Sequence, residues 1–374
     1  VGVKLAVVVP GGVDRSGEAR VIPAFLALIE RLARRHDVHV FALRQESRPG
    51  TWQLAGATIH NAGDRSPVVR ALNQIDAEHR RRPFDVVQAL FSGACGFVAC
   101  VAGARLGLPF AVHVGGGELA QLHDIGYGGR RSWLGRCREA LVLRRAALVS
   151  AASEPMIEAL DRIGVAAQRI PLGVDAARWP AREPEARAPG EPLRLVHVAS
   201  LNRVKDQPTL LRALDMLARQ GHDFHLDIVG EDTLSGEMQR LSAELQLGEH
   251  VSFHGFLPQA ELRNVMARAH VCVMTSRHEA GPLAVLEAAT LGIPTVGTRV
   301  GHIAEWSRDA ALAVPVCDPA SLAGALASLA SDEERRRTLG RAAQARALRE
   351  DADHTACAFE SVYQRLTGTV AALA

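Results

Sequence analysis

The chain is predicted to be an α/β protein with two Rossmann-like domains in tandem, facing across a cleft. Three observations lead there. Short apolar runs alternate with longer helical patterns throughout, as parallel strands joined by crossover helices do. The alternation starts afresh after a Pro-rich, charged stretch, PAREPEARAPGEP at 180–192. A length of 374 residues is long for one hydrophobic core and comfortable for two.

Taken in order, strands are expected at Leu5–Pro10, Val38–Leu43, Asp85–Leu90, Pro109–Val114, Leu148–Ala152 and Gln168–Pro171, with helices over Arg20–Arg35 and Val68–Arg82. The stretch Pro180–Pro192 has no large apolar residue and reads as a linker or a loop leading into the second domain. Beyond it, strands are expected at Leu193–Ala199, Phe224–Val229, Val251–Phe256, Val271–Thr275, Pro294–Gly297 and Ala311–Val316. Helices fall at Pro208–Gln220, Glu237–Leu245, Ala260–Ala269, Leu283–Leu291, Ser321–Ala330, Glu333–Arg349 and His354–Leu366. In open parallel sheets ligands bind beyond the carboxyl ends of the strands, so the loops that follow strands are where chemistry is expected.

Composition narrows the class. The apolar fraction of 48% and charged fraction of 22% are those of a globular protein. A net charge of +2 gives no basic excess of the kind that nucleic acid requires. No apolar run reaches the roughly 18–20 residues that span a bilayer, and the apolar start, VGVKLAVVVPGG, reads as a first strand and not as a signal peptide. Cys95, Cys100, Cys137, Cys272, Cys317 and Cys357 include no C-x-x-C pair and are expected to be buried thiols in a cytoplasmic protein. Lys4 and Lys205 are the only lysines, which gives weight to each as a compact point charge.

The segment Ser276-Arg-His-Glu-Ala-Gly-Pro-Leu-Ala-Val-Leu-Glu287 follows the buried run VCVMT. A helix starting at Pro282 leaves Glu279 at the strand's carboxyl end and free N–H groups near Leu283 and Ala284, an anion site. Glu287, between Leu286 and Ala288, is a carboxylate in apolar surroundings that needs donors, and a ribose diol supplies two. Taken alone, the two glutamates also fit a helix cap and a solvated face. After the first strand of the second half comes Ser200-Leu-Asn-Arg-Val-Lys-Asp206, where Arg203 and Lys205 suit a diphosphate and the charge that grows on it when a glycosidic bond breaks. The plainer alternative is a solvated loop.

The Lys loop, the E-x7-E segment and GIPTVGTRVGHIAE at 292–305 together resemble the GT-B retaining glycosyltransferases of family 4, over essentially the whole chain. The resemblance implies an N-terminal acceptor domain over 1–173, a donor domain over 174–353, and a C-terminal helix, about 354–374, that returns to the first domain. It also implies a nucleotide-diphosphate-sugar donor, a glycan, lipid-linked or small-molecule acceptor, no cofactor or metal, and a place in polysaccharide or glycolipid biosynthesis. By similarity Glu279 bonds the donor sugar, Glu287 the ribose, and Arg203 and Lys205 the diphosphate, with the backbone at Gly281, Pro282 and Leu283 close by. Base contacts are expected around Phe256 and Leu257. The chain departs from the family pattern in two places. Ala199-Ser-Leu201 stands where the family has Gly-Arg-Leu, so Arg203 is expected to stand in for the motif arginine. Glu279-Ala-Gly-Pro282 stands for Glu-Gly-Phe-Gly, and its small residues still admit a phosphate.

In the first half, Gly12 follows the first strand, where glycine permits either close approach of a phosphate or a simple tight turn. His113, in His-Val-Gly-Gly-Gly-Glu118, follows a strand. A histidine there faces the reacting sugar in similar enzymes, while Glu118 either binds the acceptor or begins a helix. The basic segment 129–145 interleaves Arg130 and Arg131 with Trp133, Leu134, Leu141 and Val142. It suits either an anionic acceptor and a peripheral contact with the inner face of a membrane, or an ordinary surface helix. The reaction implied is glycosyl transfer with retention. A nucleotide-sugar epimerase of the same architecture and a non-catalytic carbohydrate-binding module remain the alternatives.

Overall fold

The computed structural model describes residues 2–368. Residues up to Asp175 and from Glu350 onward form one unit, and Ala176–Arg349 form the other. The first exchange of chain therefore falls two residues after the expected 173, and the second, at Glu350, four residues before the expected 354. Residues 369–374 of the expected C-terminal segment lie outside the described residues.

Unit 1 runs β1 (Lys4–Val9), α1 (Pro23–Ala33), β2 (Asp37–Ala42), β3 (Gly50–Leu54), β4 (Ala57–Asn61), α2 (Pro67–Arg81), β5 (Val86–Leu90), α3 (Ala94–Leu106), β6 (Phe110–Val114), α4 (Trp133–Arg145), β7 (Leu148–Ala151), α5 (Glu154–Asp161) and β8 (Gln168–Arg169). Its sheet has the order β3-β4-β2-β1-β5-β6-β7-β8 and is parallel except for the pair β3 and β4. Every residue of β1, β5 and β6 is buried, as expected for interior strands covered on both faces. The β3–β4 hairpin escaped the sequence reading, although Thr51–His60 alternates and turns through Ala55 and Gly56, both at positive φ. That is the pair of conformations that a two-residue hairpin loop of type I′ needs.

Unit 2 runs β9 (Leu193–Val198), α6 (Gln207–Arg219), β10 (Phe224–Val229), α7 (Glu237–Glu244), β11 (Val251–Gly255), α8 (Gln259–Met266), β12 (Val271–Met274), α9 (Leu283–Thr290), β13 (Thr295–Thr298), α10 (Gly301–Glu305), β14 (Ala311–Val314), α11 (Pro319–Ser331) and α12 (Glu333–Arg349). Its sheet is β11-β10-β9-β12-β13-β14, with every pairing parallel. The Pro-rich stretch has no regular structure, yet it is strapped to this unit. Arg182 N donates to Thr290 O at 3.2 Å, and the buried Arg336 guanidinium donates to Glu185 O and, at 3.0 Å, to His270 O.

The last helix, α13 (Ala352–Leu366), belongs to unit 1. Arg31 of α1 pairs with Asp353 at 2.7 Å, Arg169 grips Glu350 through both oxygens at 2.8 and 2.7 Å, and Thr355 Oγ1 donates to Pro171 O at 2.7 Å. Phe359 and Tyr363 complete the core on that side.

Two expectations from composition change. Cys95, Cys100 and Cys272 are buried, but Cys137, Cys317 and Cys357 are exposed. Lys4 is buried in β1, where its Nζ donates to Arg82 O at 3.0 Å and lies over the Phe84 ring. Lysine scarcity therefore does not by itself mark a binding residue.

Candidate active site

Adjacent parallel strands β9 and β12 bring the loops 199–206 and 275–282 out at the same end of the unit 2 sheet. The loops are tied together. Arg277 N donates to Val204 O at 2.8 Å, and Thr275 Oγ1 to Lys205 O at 2.9 Å. Across that seam Lys205 Nζ donates to Glu279 Oε1, which also accepts from Ser276 Oγ at 2.6 Å. Both side chains of the pair are largely withdrawn from solvent, at 22% and 12% exposed. An ammonium has three N–H donors, so Lys205 can keep Glu279 and still reach an anion.

The Lys205 loop is held from within and from below. Asn202 Oδ1 accepts from Val204 N and Lys205 N, each at 3.2 Å, an Asx turn. Beneath it His197 is fully buried, and burial pushes its pKa down to about 4, so the ring is neutral. Its Nδ1 donates to Val273 O at 2.8 Å, which leaves Nε2 to accept from Gln207 Nε2 at 3.2 Å. The same amide donates to Ser200 O at 3.1 Å. None of Asn202, Ser276, His197 and Gln207 was assigned a role from sequence. Asn202, three residues before the lysine, carried a readable turn signal, whereas His197 lies inside an apolar strand and carried none.

Helix α9 begins at Leu283. Pro282, expected as its first residue, stands outside it with ψ at 116°, extended, and its carbonyl accepts from Val285 N at 3.2 Å. The opening N–H groups, including those of Leu283 and Ala284, have no acceptor within the helix, and they carry the positive end of its dipole. Gly281 and the Glu279 turn precede them. Gly301, at φ +48°, backs this turn so closely that a Cβ would lie 3.2 Å from Glu279 O and 3.1 Å from Pro282 Cδ. Gly301→Ala is expected to destabilise the fold by about 1–2 kcal/mol and to move Glu279. Thermal denaturation with a nucleotide titration checks both effects.

Glu287, in the second turn of α9, is 5% exposed. Its nearest donor is Gln259 Nε2 at 3.5 Å, and burial pushes its pKa up to about 7. The solvated-face alternative for this residue is thereby overturned. Gln259 opens α8 just after Phe256, an exposed ring, and Leu257, half-buried, so the residues expected to touch a base lie in the loop whose next helix reaches Glu287. Arg203 is not brought into this group. Its guanidinium makes a two-pronged ion pair with Glu237 at 2.8 and 2.7 Å and is 56% exposed.

In unit 1, Gly12 forms a turn at φ +81° packed on Ile22, whose N–H donates to Gly12 O at 2.9 Å. His113, in β6, is fully buried against Phe359, with Nδ1 3.1 Å from Ser150 Oγ and Nε2 without a partner among the described residues. Burial pushes its pKa down to about 4, so it is a neutral ring at pH 7. No helix begins at Glu118. Its buried carboxylate accepts from Ser92 N at 3.0 Å and Gly116 N at 2.7 Å, and so braces the glycine loop against the loop after β5. Glu118 lines a cavity of about 520 Å3 with Pro10, Phe91, Cys95, Gly117 and Tyr127, and burial raises its pKa. Arg131 is exposed and Arg130 half-buried, ahead of α4.

Comparison with known proteins fits this layout. The family described as Glycosyl transferases group 1 matches residues 180–346, and a Glycosyl transferase 4-like domain matches residues 21–173. The chain belongs to the group 1 glycosyltransferases. Among curated relatives of this group 1 chain, the glycogen synthase of Mycobacterium tuberculosis is 30% identical over 237 residues, 62% of this chain and 54% of that protein. The GDP-mannose-dependent alpha-(1-6)-phosphatidylinositol monomannoside mannosyltransferase of Mycolicibacterium smegmatis is 32% identical over 191 residues, 47% of this chain and 50% of that protein. The chain thus spans about half the length of these curated relatives. Among solved structures, sucrose-phosphate synthase from Thermosynechococcus elongatus has a TM-score of 0.79 at 19% identity, covering 98% of this chain and 99% of that one. Anabaena HepE in complex with UDP and glucose has a TM-score of 0.72 at 18% identity, covering 99% and 100%. The fold of this group 1 chain is therefore GT-B, with two Rossmann-like units. Among its described residues, no helix is long and apolar enough to cross a membrane.

Proposed function

We propose that the chain is a retaining glycosyltransferase that moves a sugar from a nucleotide-diphosphate-sugar to an acceptor hydroxyl without a metal ion. The observation that carries this reading is the Lys205–Glu279 pair, held beside the N-terminal end of α9 at the carboxyl ends of β9 and β12. In it Lys205 and the first N–H groups of α9 hold the diphosphate, Glu279 bonds the sugar hydroxyls, and the buried Glu287 accepts from the ribose diol. Phe256 and Leu257 flank the base. Of the two cations considered, Lys205 takes the diphosphate role, because Arg203 is spent on Glu237. A relative whose name includes GDP-mannose, and a neighbour solved with UDP and glucose, support a nucleotide-sugar donor.

In the proposed step the bond from the anomeric carbon to the diphosphate oxygen breaks and the acceptor oxygen bonds that carbon on the same face. The acceptor proton passes to the departing diphosphate. Protein groups supply position and charge: Lys205 and the helix end stabilise the growing negative charge, and Glu279 orients the sugar. His113, neutral, offers Nε2 as a hydrogen-bond partner and not as an acid or base. The acceptor side is assigned to the cavity over Glu118, with Arg130 and Arg131 beyond it.

The test compares UDP, GDP and ADP for thermal stabilisation, since a ligand of the folded state stabilises by mass action. Nucleotide release is then assayed from the matching donor with and without candidate acceptors. One nucleotide is expected to stabilise the protein, and Glu279→Ala to abolish acceptor-dependent release. Isomerised donor without acceptor indicates the epimerase instead, and binding with no turnover of any donor indicates a carbohydrate-binding module.

A further inference from the structure

Helix α4 carries apolar side chains on two opposed faces. Val142 and Leu143 are buried in unit 1. Trp133, Cys137, Ala140 and Leu141, spaced i, i+4, i+7 and i+8, form a second stripe on the solvent side. Trp133 is 65% exposed, Leu134 at the edge of the stripe 62% and Leu141 42%. Arginines border it, Arg136 along one edge and Arg138 and Arg145 along the other, with Arg144 between and Arg130 and Arg131 just before the helix. Within 129–145 these six arginines meet one acid, Glu139, which is buried and lies 3.6 Å from Arg130.

An apolar stripe edged by cations suits an occupant that is apolar within and anionic at its surface. A second copy of the chain would set two strongly positive faces against each other, which opposes pairing through this stripe. We propose that α4 docks unit 1 on an anionic lipid bilayer, with Trp133, Leu134 and Leu141 at the acyl boundary and the flanking arginines on headgroup phosphates. A groove of about 490 Å3 lined by Arg131, Ser132, Leu134, Gly135 and Arg138 runs beside the stripe, and it shares Gly128 and Gly129 with the cavity over Glu118. That places a lipid headgroup next to the cavity on the same unit.

Vesicle co-sedimentation tests this without turnover, so its outcome is independent of the proposed reaction. Binding is expected to vesicles of phosphatidylcholine with ~30% phosphatidylglycerol, weakening as salt rises, and not to phosphatidylcholine alone. Trp133 emission is expected to shift to the blue on those vesicles, a shift absent from Trp133→Phe. Arg138→Gln with Arg145→Gln is expected to lower partitioning by about 30-fold. Both side chains are exposed, so circular dichroism should be unchanged in that variant. No binding, equal binding to both vesicles, or binding that neither substitution alters would overturn the proposal. So would dimerisation lost in Trp133→Ala without any vesicle binding, which would assign the stripe to a second copy.

Discussion

Lys205→Ala is expected to lower kcat by about 100- to 1,000-fold while leaving the fold of unit 2 intact. The lysine sits at the head of a loop whose own turn is held by Asn202, and whose base is held by Gln207 and His197, none of which touches Nζ. Removing the ammonium therefore removes charge and little architecture. Because the charge on the leaving diphosphate is greater in the transition state than in the bound donor, the loss should fall more on kcat than on KM. Arg203→Ala serves as the comparison. Its guanidinium is exposed and paired with Glu237, so activity should stay within about fivefold of the parent. Steady-state kinetics of the two variants decide which cation acts, and equal losses would return Arg203 to the diphosphate.

Glu287→Gln is expected to make the nucleotide-free protein more stable at pH 8 and at the same time to weaken nucleotide binding. Burial raises the folded pKa from 4.5 to about 7. Below about pH 4.5 both folded and unfolded chains hold the proton, and burial of the neutral acid carries no ionisation penalty. As pH rises towards 7 the unfolded chain releases the proton while the folded chain keeps it, so stability falls. Above 7 the whole penalty is present, up to about 3 kcal/mol for the shift given by burial. Glutamine never ionises, so its stability should be flat over that range, and its Tm at pH 8 should lie on the order of 5–10 °C above the parent. Nucleotide affinity should move the other way. In the proposed site the ribose diol donates to the ionised carboxylate, so binding by the parent tightens as pH rises from 5.5 to 7.5, and the variant binds about tenfold more weakly or worse. Calorimetric scans and nucleotide titrations over that range check both signs. A variant no more stable at pH 8 would mean that other donors satisfy Glu287 in the empty protein.

Much of this site was readable because strand ends and helix starts announce themselves. The apolar run VCVMT followed by a polar loop and Pro282 located the Glu279 turn, and the error was one residue, since proline's φ suits both the cap and the first turn. Burial of Glu287 was inferable from Leu286 and Ala288 beside it. What the sequence could not give was pairing across loops. Arg203 and Lys205 are two residues apart, yet one reaches out to Glu237 and the other in to Glu279, and no local pattern distinguishes them. In unit 1, Glu118 reads as either an acceptor contact or a helix start, and its bracing of two loops went unseen. Its partners, Ser92 N and Gly116 N, come from two loops that only the parallel pairing of β5 and β6 brings together. The two-sided character of α4 was obscured because arginines interrupt both apolar faces along the sequence, which leaves no single face to read.

Unit 1 is sewn from both ends of the sequence, with α13 tied through Asp353, Glu350 and Thr355 to Arg31, Arg169 and Pro171. During synthesis this has a temporal meaning. The eight-stranded sheet emerges first but lacks Phe359 and Tyr363, so its flank stays uncovered until α13 has left the ribosome. Unit 2, continuous from Ala176 to Arg349, has all its strands before then and can close first. Of the two units the one written first is thus the one finished last, and a chain cut back to Arg349 would carry a complete second unit beside an unsealed first one.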